Sequence, residues 1–178
     1  YLKSLEATKS IFLVTNGQEP DMIQKLEDED ALPTQLYLST NAADYESFLK
    51  INRPRYDDSW ERWNRTLKML STLDTRTVLR LTLIRGYNDN EDMIPTFASL
   101  LRQSNAHFVE IKSYMHIGRS TNRLEYSDML EMDEVRNFAN KLVQENNTFP
   151  VMDESEISRI VILQNKKRFI DRFIPAYC

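Results

Sequence analysis

The chain has 178 residues, of which 41% are hydrophobic and 28% are charged, so it is long enough to bury one sizeable core and too apolar for a disordered chain. Its net charge of -4 argues against a protein that coats nucleic acid non-specifically. No stretch approaches the roughly 18 apolar residues of a membrane span and the first residues do not resemble a signal peptide, so we expect a cytoplasmic protein without a membrane partner.

Strand-like and helical segments alternate along the chain. Short apolar runs predict strands at residues 10–15, 34–40, 77–84, 107–113 and 159–163. Helical spacing of apolar residues predicts helices at 57–73, around Met93 to Leu101, and around Val135 to Leu142, with Asp57, Asp58 and Ser59 as candidate caps of the first. This order predicts βαβ units with parallel strands and outer helices, in a single domain spanning residues 1–178.

The predicted strands have one apolar face and one polar face. In the strand at 107–113, Val109 and Ile111 alternate with Glu110 and Lys112, and the strand at 77–84 is similarly one-sided. An open doubly wound sheet would cover both faces with helices and would favour continuously apolar strands. The pattern therefore favours a barrel, or part of one, with a polar interior.

Three ionisable side chains are expected to face that interior: Arg80, Glu110 and Lys112. Burying any of them without a partner would cost several kcal/mol, so we expect them to pair with one another or with a charged ligand. A purely structural network of ion pairs is the alternative.

Five segments, in order along nearly the whole chain, resemble one enzyme family. They are FLVTNG (12–17), PTQLYLS (33–39), RTVLRLTLIRGYN (76–88), VEIKSYMHIG (109–118) and DESEISRIVILQN (153–165). The family is that of the radical S-adenosylmethionine enzymes that make 4-demethylwyosine in tRNA, and its archaeal branch is the most similar. The resemblance implies an incomplete TIM-like barrel, a 4Fe-4S cluster that cleaves S-adenosylmethionine, and a reaction joining carbons from pyruvate to N1-methylguanosine at position 37 of tRNA-Phe.

The cysteines that such an enzyme needs are not in this sequence. A CxxxCxxC triad would hold the cluster, but the single cysteine is Cys178, which also excludes a disulfide framework and a cysteine-based metal site within this chain. The resemblance therefore implies the C-terminal part of the barrel, from its third strand onward, with the cluster ligands upstream. We expect such a fragment to be inactive, with its open edge at residues 11–15 covered by the upstream part of the enzyme or another chain.

The resemblance also implies a set of cofactor-binding positions at the ends of the strands. Asn16 closes a turn, and a role as a plain turn residue is its alternative. Asn41 stands where relatives usually have aspartate, so it keeps an acceptor oxygen but loses the charge. The full set expected near S-adenosylmethionine is Asn16, Ser39, Asn41, Arg80 and Thr82.

Lys112 is the residue expected to form an imine with pyruvate, as the resemblance implies. Burial and the nearby Arg80 would favour the free amine that attacks a ketone, whereas Glu110 would favour the ammonium form. These effects compete, and the sequence does not rank them. The alternative is a structural pair between Lys112 and Glu110 or another carboxylate.

Two further groups complete the predicted site. Tyr114 and His116 continue the polar strand face and are expected to contact the target base or move protons, whereas His107, at the other end of the strand, is expected to be a surface or packing residue. The groups expected to face the phosphates of tRNA are Arg119, Arg123, Lys166, Lys167 and Arg168, and simple solvation is their alternative.

Two other classes of function fit parts of the pattern. A class I aldolase also forms an imine on a barrel lysine and needs no iron, but 178 residues fall short of the roughly 250 of an eight-unit barrel. A non-catalytic RNA-binding module would explain the missing cysteines most directly.

Overall fold

The computed structural model describes residues 1–174, in which six strands form one sheet; Cys178 lies outside the described residues. The order of the strands across the sheet is β1-β2-β3-β4-β6-β5. The strands are β1 (Phe12–Thr15), β2 (Gln35–Thr40), β3 (Arg76–Leu83), β4 (Phe108–Ser113), β5 (Val151–Ser155) and β6 (Ile160–Gln164). The helices are α1 (Pro20–Asp28), α2 (Tyr45–Asn52), α3 (Ser59–Met69), α4 (Ile94–Ser104) and α5 (Met132–Glu145).

The first four strands are parallel, and helices connect them, so the predicted α/β organisation is confirmed for this part of the sheet. The expectation of a parallel last strand is wrong, because β6 pairs antiparallel with both β4 and β5. Only four residues, 156–159, separate β5 from β6, and a parallel crossover needs a dozen or more. Arg159 ends this turn with φ of 50°, which is a turn conformation.

Helices α1 and α2 were not predicted, although both begin with recognisable signals. Pro20 occupies the first turn of α1, where a missing N–H costs nothing. Asp44 and Ser47 form a reciprocal capping box at the start of α2. In α3, Asp58 occupies the N-cap position, as predicted, but its carboxylate makes no capping hydrogen bond and instead accepts one from Nε of Arg62 (2.8 Å).

The core lies between the helices and one face of the sheet. The apolar face of the central strands is fully buried there, and large side chains of the helices pack in the same cluster, among them Trp63 of α3, Phe97 of α4 and Phe138 of α5. The apolar residues of β2, β3 and β4 with no exposed surface are Leu36, Leu38, Leu79, Leu81, Leu83, Val109 and Ile111. The opposite face of the same strands therefore carries the polar residues, as the alternation predicted.

One side of β1 forms an edge of the sheet. Phe12, Leu13 and Val14 are exposed on it, although consecutive strand residues point to opposite faces. In the described part of the chain, neither face of this strand is well covered. An apolar strand at an edge is a site where another segment can add.

Gly17 is predicted to be irreplaceable in the turn after β1. Its φ is +77°, and an added Cβ would lie 2.8 Å from Cδ1 of Leu38 and 3.0 Å from Cδ1 of Trp63. Gly86 has a similar φ of +72°, but an added Cβ there meets nothing within 4 Å. Gly86→Ala should therefore cost only the backbone term of about 1–2 kcal/mol. Gly17→Ala should cost about 1–3 kcal/mol more, because overpacking adds to that term.

The measurement is urea-induced unfolding of the two alanine variants beside the unsubstituted protein. Equal destabilisation by both substitutions would show that the close approach of Leu38 and Trp63 to Gly17 carries no energetic weight.

His107 is predicted to make folding sensitive to acid. Its Nδ1 accepts a hydrogen bond from the backbone N–H of Thr77 (3.1 Å), which requires the neutral ring. Burial, together with the charges of Arg168 and Arg76, lowers the pKa of His107 from 6.5 to about 4. The unfolded chain therefore takes up a proton first as the pH falls, and the free energy of unfolding should decrease between pH 6.5 and about 4, by on the order of 2 kcal/mol.

His107→Asn keeps an acceptor near the position of Nδ1 but cannot titrate in this range, so it should remove much of that pH dependence. The measurement is urea unfolding at a series of pH values. His116→Asn is the matched control, since the chain has only two histidines. An unchanged pH dependence in His107→Asn would contradict the assignment to His107.

Candidate active site

A cavity of about 420 Å³ opens at the carboxyl ends of β2, β3 and β4, on the polar face of the sheet. Ligands of parallel α/β folds commonly bind at this end of the strands. Five cationic side chains and no Asp or Glu line it, although the chain as a whole is acidic. The cations are Lys50, Arg53, Arg80, Lys112 and Arg123. The cavity is therefore suited to an anionic ligand.

Strand register brings the polar residues together in two rows across the sheet. Ser39 of β2 lies beside Arg80 of β3, and Arg80 lies beside Glu110 of β4. One step closer to the carboxyl ends, Thr82 of β3 lies beside Lys112 of β4. Because side chains alternate between faces, both rows project to the same side as the cavity.

Arg80 and Glu110 form an ion pair in the inner row. Nε of Arg80 lies 2.8 Å from Oε1 of Glu110, in a charge contact that lacks the alignment of a hydrogen bond. The guanidinium also lies over the ring of Tyr37, 4.4 Å from its centroid. Burial, followed by the charge of Glu110, raises the pKa of Tyr37, so this phenol remains a neutral platform for Arg80 at ordinary pH. The expectation that Arg80 and Glu110 pair is thus met.

Lys112 is half-buried and lines the cavity. Among residues 1–174 its amine has neither an ion pair nor a hydrogen bond with a side chain or carbonyl. The alternative pairing with Glu110 is not formed, and Glu110 pairs with Arg80 instead. Lys112 is therefore an uncommitted amine facing a cavity.

Tyr114 lines the cavity and contacts His116, which does not line it. The hydroxyl of Tyr114 is 3.2 Å from Nδ1 of His116 and donates a hydrogen bond to Oγ of Ser120 (3.1 Å). Tyr114 and Ser120 line the cavity, whereas His116 lies behind Tyr114, edge-on to the exposed ring of Tyr126. These groups can exchange protons along a short chain that ends at the cavity.

The residues expected near S-adenosylmethionine are only partly together. Ser39, Asn41, Arg80 and Thr82 line the cavity, but Asn16 does not. The side-chain oxygen of Asn16 accepts a hydrogen bond from the N–H of Gln18 (3.2 Å), which is the turn role given as its alternative. The amide of Asn41 donates to Oδ1 of Asn52 (3.2 Å).

The basic residues expected to face tRNA divide into two groups. Arg123 lines the cavity, and Arg119 is exposed on the same loop. Lys166, Lys167 and Arg168 lie at the opposite end of the strands, since Gln164 pairs with Phe108 at the start of β4.

Within that second group, Arg168 has a structural role. Its guanidinium donates hydrogen bonds to the carbonyls of Leu70 (2.6 Å) and Leu73 (2.8 Å), and burial lowers its pKa. Lys166 and Lys167 are exposed. The structure thus separates these three residues from the cavity.

Lys50 and Arg53 were not identified from the sequence. Both are near the end of α2, a helix that the apolar pattern did not reveal. Arg53 has a φ of 47°, a left-handed conformation in which Gly or Asn is the usual residue. An arginine in this conformation has a higher backbone energy than a glycine would have. A charged residue at a helix C-cap is the signal that could have marked it.

The described residues hold no group of three or more His, Cys, Asp or Glu that could bind a metal ion. With one cysteine in the sequence, this chain does not fit the ligand set of a 4Fe-4S cluster. Within residues 1–174, every helix is too short or too polar to cross a bilayer.

Comparisons with known proteins connect this cavity with one family. Residues 103–165, which include Lys112 and Arg123, match the family model described as wyosine base formation. The S-adenosyl-L-methionine-dependent tRNA 4-demethylwyosine synthase of Pyrococcus abyssi is 41% identical over 152 residues, which are 85% of this chain and 44% of that protein.

Solved structures agree with the sequence match. A structure of TYW1 with a lysine-pyruvate adduct bound is 41% identical and superimposes with a TM-score of 0.76 over 89% of this chain and 48% of that one. A radical SAM methyltransferase from Sphaerobacter thermophilus, 17% identical with a TM-score of 0.51, covers 76% of this chain and 38% of that one and shows a shared fold only. The chain spans about half the length of the relatives from Pyrococcus abyssi and Methanocaldococcus jannaschii. By sequence and by structure, the chain is a relative of the tRNA 4-demethylwyosine synthases.

Proposed function

We propose that this chain is the C-terminal part of a tRNA 4-demethylwyosine synthase, and that its cavity holds the pyruvate-derived carbons on Lys112 beside N1-methylguanosine-37 of tRNA-Phe. The observation that carries the proposal is the uncommitted amine of Lys112 in a cationic cavity at the carboxyl ends of parallel strands. The relative with a lysine-pyruvate adduct supports it.

Lys112 is the better of the two lysines in the cavity for this role. It projects from a central strand, whose neighbours fix its position, and it lies within the region matched by the family model. Lys50 lies outside that region, at the end of a short helix, with its amine 5.1 Å from the centre of the Tyr87 ring. In the proposed step the Lys112 nitrogen bonds to the keto carbon of pyruvate, and the keto oxygen leaves as water.

The architecture that we propose for the intact enzyme is an incomplete TIM-like barrel. The exposed apolar surface of Phe12, Leu13 and Val14 on β1 supports it, since this edge accepts a further parallel strand. The upstream part of the same enzyme would supply that strand and the cysteines of the 4Fe-4S cluster, in a cytoplasmic protein.

S-adenosylmethionine would bind at the same end of the strands. The hydroxyls of Ser39 and Thr82 and the cations of the cavity can hold its ribose and carboxylate, and Asn41 has an acceptor oxygen there. The cofactor, when cleaved at a cluster, supplies a radical. This chain's own residues would bind and orient it.

The anionic partner that we propose for the rim of the cavity is the phosphate backbone of tRNA. Lys50, Arg53 and Arg123 lie along the rim without a carboxylate partner among the described residues. The proposal includes contact of Tyr114 and His116 with the target base: Tyr114 lines the cavity, and its hydroxyl lies 3.2 Å from Nδ1 of His116.

Lys112 is predicted to be trapped by pyruvate. Incubation with pyruvate and borohydride should attach reduced pyruvate to Lys112, as read by peptide mass spectrometry. Lys112→Arg should reduce labelling to background, because its guanidinium does not form the imine. The matched control is Lys50→Arg, which makes the same change in the same cavity and should retain labelling.

Labelling at Lys50 in place of Lys112 would contradict the assignment. In the intact enzyme, Lys112→Ala should abolish product and leave cluster content and tRNA affinity nearly unchanged.

Retro-aldol cleavage by the isolated chain would favour a class I aldolase. Binding of tRNA without pyruvate labelling would favour an RNA-binding module.

The cavity rim is predicted to account for the salt dependence of tRNA binding. Affinity for a tRNA-Phe anticodon stem-loop should be measured by anisotropy from 50 to about 300 mM salt. The variant Lys50→Gln/Arg53→Asn/Arg123→Gln should make the slope of log affinity against log salt less negative, by up to about 2, at about 0.7 for each lost phosphate contact. Asparagine is chosen at position 53 because it tolerates a positive φ.

Lys166→Gln/Lys167→Gln gives the comparison at the opposite end of the strands. This variant tests the other predicted tRNA contact, and its distance from the cavity leads us to expect a slope unchanged from that of the parent protein. A flatter slope in this variant alone would move the RNA interface to that end of the sheet.

A further inference from the structure

Glu110 is the carboxylate best placed to capture the amine of Lys112. The two residues are separated by one residue in β4, on the same face of the sheet, which puts their Cα atoms about 6.6 Å apart. Glu110 is almost fully buried, with its side chain 10% exposed, so it needs a cationic partner. A lysine side chain is long enough to provide one.

In the structure Glu110 pairs with Arg80 and not with Lys112. Arg80 lies directly across from Glu110 in the neighbouring strand, and its Nε is 2.8 Å from the carboxylate. The ring of Tyr37 supports the other side of the guanidinium at 4.4 Å. Arg80 is thus held between a ring and a carboxylate, whereas the amine of Lys112 has no partner among residues 1–174.

The other groups around Lys112 do not replace the carboxylate. The cavity carries three more cations, on α2 and on the loop after β4, and two phenols. The residue paired with Lys112 in β6 is the apolar Ile160. These charged and titratable groups are Lys50, Arg53, Tyr87, Tyr114 and Arg123, with His116 behind Tyr114.

We propose that Arg80 is a positioning residue for Lys112: it reserves the Glu110 carboxylate in a cross-strand ion pair and so leaves the amine of Lys112 free to attack a ketone. The inference rests on the proposed imine at Lys112. An amine attacks a ketone only without its extra proton, and a carboxylate beside it would favour the protonated form. In the imine step the ion pair of Arg80 and Glu110 therefore acts on pyruvate only through Lys112.

The test is the pH dependence of pyruvate trapping at Lys112 in the purified protein. Arg80→Gln leaves Glu110 without its partner, so the carboxylate should turn to Lys112. The pH of half-maximal trapping should rise by about one unit, and the rate at pH 7.5 should fall about tenfold. The double variant Arg80→Gln/Glu110→Gln removes the capturing carboxylate as well and should restore both values to within about twofold of the parent.

Three further variants separate this role from a general effect on charge or folding. Glu110→Gln alone should not raise the pH of half-maximal trapping. Arg80→Lys keeps a cation for Glu110, so it should raise that pH by much less than Arg80→Gln does, although it loses the planar contact with Tyr37. Arg123→Gln removes a cation from the same cavity without releasing a carboxylate, so it should raise that pH by much less than Arg80→Gln does.

The outcomes separate the positioning role of Arg80 from the proposed imine at Lys112. A double variant as slow as Arg80→Gln, or an Arg123→Gln shift as large as that of Arg80→Gln, would overturn the positioning role. A parent protein that traps no pyruvate at Lys112 would instead overturn the proposed function. If Arg80→Gln does not fold, as judged by circular dichroism, Arg80→Met takes its place: it also leaves Glu110 without its cation and should raise the pH of half-maximal trapping, and no rise would overturn the positioning role.

Discussion

The site depends on the burial of one face of three parallel strands. Seven apolar residues of β2, β3 and β4 have no exposed surface on the helical side of the sheet, and they fix both the rotation and the register of the strands. Moving a strand by one residue would exchange its two faces and put its leucines into the cavity. The free energy of apolar burial thus determines where Arg80, Glu110 and Lys112 project, and none of these three residues contributes to that choice.

The cavity has the opposite charge to the rest of the molecule. The chain carries a net charge of -4, but the residues that line the cavity include five cations and no carboxylate. The acidic residues lie elsewhere, many in ion pairs on the surface such as Arg136 with Glu154. Exposed pairs of this kind contribute little to stability, but they keep carboxylates away from the ligand site. A local positive field in an acidic protein favours an anionic ligand at one place and disfavours general adhesion to nucleic acid.

The main features of the sheet could be predicted from the sequence, because alternation of apolar and polar residues has a direct structural cause. Leu79, Leu81 and Leu83 predicted the buried face of β3, and they are buried. Short helices gave weaker signals. Helix α2 has only eight residues, and its clearest sequence signal is the capping box at its start, not the spacing of its apolar residues. Missing α2 meant missing Lys50 and Arg53, two of the five cations of the cavity.

Charge runs were equally difficult to interpret from the sequence alone. Lys166, Lys167 and Arg168 look like one solvated or RNA-binding cluster, but Arg168 turns back to bind backbone carbonyls near the start of β3. Its neighbours remain exposed. The difference arises from the antiparallel return of β6, which a periodicity of two does not reveal, since parallel and antiparallel strands alternate in the same way.

The partner of Glu110 shows most clearly what register adds to sequence. Along β4, Lys112 is about 6.6 Å from Glu110, whereas a residue directly across in the next strand is only about 4.8 Å away. The neighbour along the strand, Lys112, can be identified from the sequence, but the neighbour across the sheet, Arg80, cannot. The strand register puts Arg80 directly across from Glu110. The shorter separation and the contact of the Arg80 guanidinium with the Tyr37 ring then favour the cross-strand pair. The competition between Arg80 and Lys112 for one buried carboxylate is therefore decided by strand pairing, and the amine that loses this competition is the one that faces the cavity.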